Sequence, residues 1–184
     1  MQLLIRYPYM SRELIIDYKG KRKEIQVGLV FYSTETGAFY MLCKNPSSRK
    51  ISQLRIDQIR SIKATETEHK YYKSPEITQI YSEIFSVTYT KSLHHVEVLF
   101  QDFGNIRERI EQLSTRRNGS KISILDQPID GIPHTILYQD EIRGLSDFAQ
   151  YLRSFGRAAL VIQPKTLQTM MKETCHHVLS NYEE

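Results

Sequence analysis

Residues 37–62 read GAFYMLCKNPSSRKISQLRIDQIRSI, two strand-like runs joined by a polar turn, and this stretch decides how the first third of the chain folds. Phe39, Met41 and Cys43 alternate with Tyr40, Leu42 and Lys44, the two-residue period of a strand with one partly polar face. The turn is Asn45-Pro46-Ser47-Ser48: Pro46 fixes φ, while Asn45 and the serines can bond their own backbone. On the return run Gln53, Arg55 and Asp57 fall on one face and Leu54 and Ile56 on the other. Directly opposed residues of an antiparallel pair point the same way, and a one-residue slip would expose Leu54 and Ile56. If Phe39 and Met41 share their buried face, opposed positions sum to an odd number and Tyr40 lies on Arg55's side. In one reading Tyr40 is an ordinary strand aromatic and Arg55 a solvated charge. In the other they are two walls of an anion site, completed by one or more of Gln53, Asp57, Arg49 and Lys44.

The segments before this hairpin are also strands. Residues 14–18 and 25–32 alternate around a Lys19-Gly20-Lys21 turn, and short strands at this spacing point to a small barrel. A helix follows, with Ser74 as N-cap, Pro75 at its first position, and Ile77, Ile80, Tyr81, Ile84 and Phe85 at helical spacing. Residues 86–95 read as a domain boundary.

The second half alternates in type. Val96, Val98 and Phe100 mark a strand; Phe103, Ile106, Ile110 and Leu113 a helix; residues 122–129 a strand. Asp130-Gly131 is a hairpin signal, returning as residues 133–139. A helix carrying Leu145, Phe148, Leu152 and Phe155 stops at Gly156, and residues 158–163 form a strand ended by Pro164. The order is βαββαβ, the split βαβ or ferredoxin-like arrangement, and a last helix with Leu167, Met170, Met171, Thr174, Val178 and Tyr182 closes the chain. The fold class is therefore α+β: a small barrel over residues 1–73, a linker helix and boundary over 74–94, and a ferredoxin-like domain over 95–184.

At 184 residues and 40% hydrophobic content the chain has enough apolar surface for real cores. No apolar run approaches 18 residues and the first residues lack a cleavable leader, so the expected compartment is the cytoplasm, with no membrane partner. Cys43 and Cys175 sit among apolar neighbours and read as buried, reduced thiols. The net charge of +4 is too modest to prove nucleic-acid binding. Local clusters say more: Lys19, Lys21, Arg22 and Lys23 form one basic knot, a candidate for phosphate contact, and Arg116, Arg117 and Lys121 form a second, the ordinary reading of each being a solvated turn. His94-His95 and His176-His177 diverge on a strand or a helix, so no metal site is expected. A phosphate loop, a nucleophile elbow and HExxH are all missing, and nothing in the sequence lowers the Cys43 pKa. The expectation is a protein that is not an enzyme and holds no cofactor.

The central stretch resembles the WYL domain. The name motif stands here as Phe39-Tyr40-Met41, the Arg-bearing second motif as Leu54-Arg55-Ile56-Asp57-Gln58-Ile59 at the usual separation, and Val27-Gly28-Leu29-Val30 is similar to the strand before them. Gln58 replaces the family's second Arg and Ser52 stands where another Arg is common, leaving Arg49 and Lys50 as displaced cations. The second half resembles the WCX extension that often follows, through Gly144-Leu145-Ser146-Asp147-Phe148, Leu152-Arg153-Ser154-Phe155-Gly156 and Val161-Ile162-Gln163-Pro164. Together the resemblances cover roughly residues 14–182. They imply an Sm-like barrel that binds a negatively charged effector, in the sensing and dimerising part of a bacterial transcriptional regulator. DNA would be reached through an N-terminal winged helix-turn-helix, which is not seen because no helical period precedes Leu14.

Three functions stay open. The first is a homodimeric effector-sensing module taking a nucleotide, another small anion or a short single strand. The second is a nucleic-acid-binding module, with stacking on Tyr40 and phosphates against Lys19, Lys21, Arg22 and Lys23. The third is an interaction scaffold without a ligand.

Overall fold

A computed structural model describes residues 10–126 and 134–182. The chain forms two compact α+β units, each built on one antiparallel sheet, the first ending at Tyr81 and the second beginning at Ser82. The Asp130-Gly131 hairpin lies outside the described residues.

The first unit contains β1 (Arg12–Tyr18), β2 (Lys21–Ser33), β3 (Ala38–Lys44), β4 (Ile51–Arg55), β5 (Ile59–Glu68) and all but the last two residues of helix α1 (Pro75–Glu83). Its strands lie in the order β4-β3-β2-β1-β5. The expected barrel is not closed: β4 and β5 sit at opposite ends of this order, and among the described residues no ladder joins them. What separates them is a single 3-10 turn, Ile56–Gln58, in the middle of what reads as one alternating run. Asp57 therefore leaves the strand face it was expected to share with Gln53 and Arg55. Residues 59–68 form a strand that the sequence conceals, because only Ile62 and Ala64 among its later residues pack on the core.

The β3–β4 register is the odd-sum one. Tyr40 opposes Arg55, Met41 opposes Leu54 and Cys43 opposes Ser52. One face buries Leu14, Ile16, Ile25, Val27, Met41, Cys43, Leu54 and Ile56 in a common cluster. Each such side chain contributes about 1.5–3 kcal/mol of burial, so a slipped register forfeits several contributions together. Tyr40, Leu42 and Lys44 face the other way, toward α1. Gly28 is what lets the helix come close. A Cβ there would stand 2.7 Å from Ile77 Cγ1 and 2.8 Å from Tyr71 Cε1, and the β2–β3 ladder has a register shift at this glycine. Of the helix's expected stripe, Ile77 is buried in this unit, whereas Ile84 and Phe85 follow the helix end.

The second unit runs β6 (His94–Phe100), α2 (Ile106–Arg116), β7 (Lys121–Ile124), β8 (Ile136–Ile142), α3 (Leu145–Arg153), β9 (Ala159–Gln163) and α4 (Lys165–Ser180), with strand order β7-β8-β6-β9. Val96, Val98, Phe100, Ile136, Tyr138 and Ile142 line one sheet face and meet Ile110, Leu113, Phe148, Leu152 and Phe155 of the helical layer. Phe103 differs from expectation: it precedes α2 and is half exposed. On α4, Leu167 is buried, but Val178 and Tyr182 are exposed.

The unit division falls earlier than residues 86–95, and two anchors explain why. Arg117 is buried, contrary to the solvated turn expected of its cluster. Its Nε donates to Asp140 Oδ2 at 2.7 Å, its Nη1 to the carbonyls of Ser82 and Ile84, and its Nη2 to those of Glu83 and Glu141, so the incoming chain is fastened into this unit. Asp147 then holds the residues expected to form the boundary, accepting from the backbone of Val87 and Thr88 and from the Thr88 hydroxyl. Gly144 beside it has φ +84 and would place a Cβ 2.6 Å from the Thr88 carbonyl oxygen, so no other residue fits.

Candidate ligand-binding face

The antiparallel register brings Tyr40 and Arg55 side by side on the outer face of the first unit's sheet. Tyr40 is half-buried, and its ring stacks on Phe31, its partner across β2–β3, at a centroid distance of 5.7 Å. Phe31 in turn meets Tyr81 at 5.0 Å, giving a short aromatic row from the strands to α1. The Arg55 side chain is 42% exposed and pairs with Asp57, Nη2 to Oδ2 at 2.9 Å. That hydrogen bond, then the Asp57 charge, raise the Arg55 pKa further. The 3-10 turn thus swings Asp57 back toward the guanidinium instead of extending the polar face.

The remaining candidates divide. Gln53 opposes Leu42, two residues along the strand from Arg55 and on the same face. Lys44 lies four residues from Tyr40, about 13 Å along the strand. It is buried, with Nζ 2.8 Å from Glu76 Oε2 and 4.6 Å from the Tyr71 ring centroid. It fastens α1 to the sheet and is engaged there. Arg49 sits at that same far end of the hairpin, in an exposed loop at φ +59. The structure therefore brings together Tyr40, Arg55 and Asp57 with Gln53 adjacent, and leaves Lys44 and Arg49 apart.

The first basic knot is drawn to a residue that sequence reasoning passed over. Lys23 and Lys19 hold Nζ 4.9 and 5.7 Å from the Tyr18 ring centroid, and the Tyr18 hydroxyl donates to Gln58 Oε1 at 3.0 Å while accepting from the Arg55 backbone N–H at 3.4 Å. Gln58, which departs from the family motif, is thus the residue that ties the end of β1 to the 3-10 turn, helped by the Lys19 N–H on its carbonyl. The flanking lysines were the available signal for Tyr18. Lys21 and Arg22 are exposed, Arg22 in a loose pair with Glu24 at 3.7 Å.

Cys43 is buried, and burial pushes its thiol up to about 12, well away from a reactive thiolate. Cys175, expected to be buried, is exposed on α4. Among the described residues no cluster of three or more His, Cys, Asp or Glu side chains is placed to hold a metal ion, and no helix is long and apolar enough to cross a membrane.

No family model matches the chain, and no curated protein does. Among solved structures it is similar to a CRISPR Cas-related protein, with TM-score 0.52 and 14% identity over 95% of this chain and 49% of that one. It also overlaps proteasome accessory factor B/C (PafBC) of Arthrobacter aurescens, with TM-score 0.34 and 13% identity over 89% of this chain and 24% of that one. The chain thus spans about half and about a quarter of these two proteins. The first likeness is one of fold.

Proposed function

We propose that this chain is the ligand-sensing module of a bacterial transcriptional regulator of the WYL type, taking a negatively charged effector on the face formed by Tyr40 and Arg55. The observation that carries the reading is the register pairing of these two residues, which puts a partly exposed guanidinium beside an aromatic ring on one surface. A planar fork of donors suits phosphate or carboxylate, and the ring suits a base or another flat group. The second unit, with its βαββαβ order, is read as a ferredoxin-like WCX-type domain. On this reading the protein is a cytoplasmic homodimer that does no chemistry on its ligand.

A second reading is favoured by the row Tyr40–Phe31–Tyr81. Successive aromatic rings are what a single-strand-binding module uses to stack bases with little regard to sequence, and on this reading Lys19, Lys21, Arg22 and Lys23, gathered at Tyr18, track the phosphates. Titrating labelled single-stranded and double-stranded oligonucleotides at two ionic strengths separates the possibilities. Salt-sensitive single-strand binding that is lost in Tyr40→Ala supports the second reading. Binding of a mononucleotide that is lost in Arg55→Ala, with neither strand form bound, supports the sensor. A sequence-selective nanomolar duplex complex contradicts both, because among the described residues neither unit offers a helix-turn-helix to enter the major groove.

A further inference from the structure

On the inner face of the first unit's sheet, at the end where β2 begins and β3 turns into β4, lies a cavity of about 550 Å³. We propose that it is a binding site for a small phosphorylated molecule with an apolar or aromatic body, such as a nucleoside monophosphate, separate from the Tyr40–Arg55 face.

Three neighbouring strands build it with the same gradient. On β2 the inward positions run from Ile25 to Lys23; on β3 from Cys43 to Asn45; on β4 from Leu54 through Ser52 to Lys50 just before the strand. Inwardness follows from register: Lys23 opposes Ile16, and Ser52 opposes Cys43, both members of the core cluster. The floor is therefore apolar, with the Cys43 thiol neutral, and the rim is cationic and hydroxylic. Arg22 and Glu24 alternate away from the inward positions and pair loosely with each other at 3.7 Å, so Lys23 and Lys50 leave two positive charges, close to the charge of a phosphate monoester near neutral pH. Neither lysine is in an ion pair among the described residues.

The rim is also held in place. Asn45 donates to the Glu24 carbonyl at 3.2 Å and accepts from the backbone of Ser47 and Ser48 and from the Ser48 hydroxyl. Its own N–H donates to the Lys50 carbonyl at 2.9 Å, fixing where β4 starts. A fixed loop costs a ligand little ordering entropy, and the volume falls within the range of roughly 300–1,000 Å³ usual for small-ligand sites.

The test is calorimetric titration of the full chain with AMP, with glucose 6-phosphate and inorganic phosphate as comparators, and with amide chemical shifts recorded alongside. AMP is expected to bind more tightly than either comparator and to shift the amides of Ile25, Cys43, Ser52 and Leu54. Replacing both rim lysines (Lys23→Gln with Lys50→Gln) is expected to weaken it by roughly tenfold or more and to remove the amide shifts of Ile25, Cys43, Ser52 and Leu54. Should the double variant fail to fold, Ser52→Trp, which obstructs the floor without altering charge, is expected to abolish AMP binding. The proposal is overturned if AMP does not bind, if it binds no better than inorganic phosphate, or if Arg55→Ala removes it while the rim variants do not. Loss of oligonucleotide binding in Arg55→Ala with AMP retained would leave this site standing whichever way the outer face is judged.

Discussion

The Arg55 guanidinium meets the Asp57 carboxylate two residues further along the chain, with Nη2 2.9 Å from Oδ2 and Nε 3.0 Å from both carboxylate oxygens. An anion arriving at Arg55 competes with this partner, so Asp57 acts against the ligand as well as holding the fork in place. Asp57→Asn keeps the side chain's shape and removes its charge. The expected result is tighter anion binding, by up to about fivefold, as befits an exposed ion pair. Titration of wild type and variant under one salt condition reads it out, and weaker binding in Asp57→Asn would make the carboxylate part of the ligand's own contacts.

Gly28→Ala is expected to destabilise the first unit by about 1–3 kcal/mol, since the added methyl would overlap both Ile77 and Tyr71 and force α1 away from the sheet. Urea unfolding monitored by tyrosine fluorescence checks this. An unchanged midpoint would mean that the helix seats itself differently.

His95 is one group through which pH acts on the second unit, and buried His134, whose pKa burial lowers, acts in the opposite sense. The hydrogen bond that the His95 Nδ1–H donates to the Glu141 carboxylate, assisted by Glu97, raises the His95 pKa above the ordinary 6.5. A histidine whose folded pKa exceeds its unfolded one adds stability that is complete below the unfolded value and is lost as pH rises through the folded one. The His95 contribution should therefore decline modestly from pH 6 to pH 8, so that in a His134→Gln background stability falls over this interval and adding His95→Gln flattens the fall. An increase over the same interval in that background, removed by His95→Gln, would reverse the assignment.

The core and the hairpin register were legible because alternation and burial say the same thing at Met41, Cys43 and Leu54. Tyr40's pairing with Arg55 followed from that parity alone. The break at Ile56 was hidden, since Leu54-Arg55-Ile56-Asp57 alternates whether or not a 3-10 turn interrupts it. β5 was hidden by its polar tail. Lys44 read as a ligand cation because nothing local reveals that Glu76, 32 residues on, neutralises it. Arg117 read as a turn cation for the same reason, its partner Asp140 lying 23 residues away. The inner cavity needs β2, β3 and β4 aligned at one end, a property of the sheet and of no single segment.

Arg55 is the proposed anion contact of the outer face, and the most direct measurement of that role is the affinity of a short labelled oligo-dT for wild type and Arg55→Ala, each checked for an unchanged unfolding midpoint. Loss of one charge-assisted contact is expected to weaken binding by roughly ten- to a hundredfold. Equal affinity in a folded Arg55→Ala protein would contradict the assignment of this face.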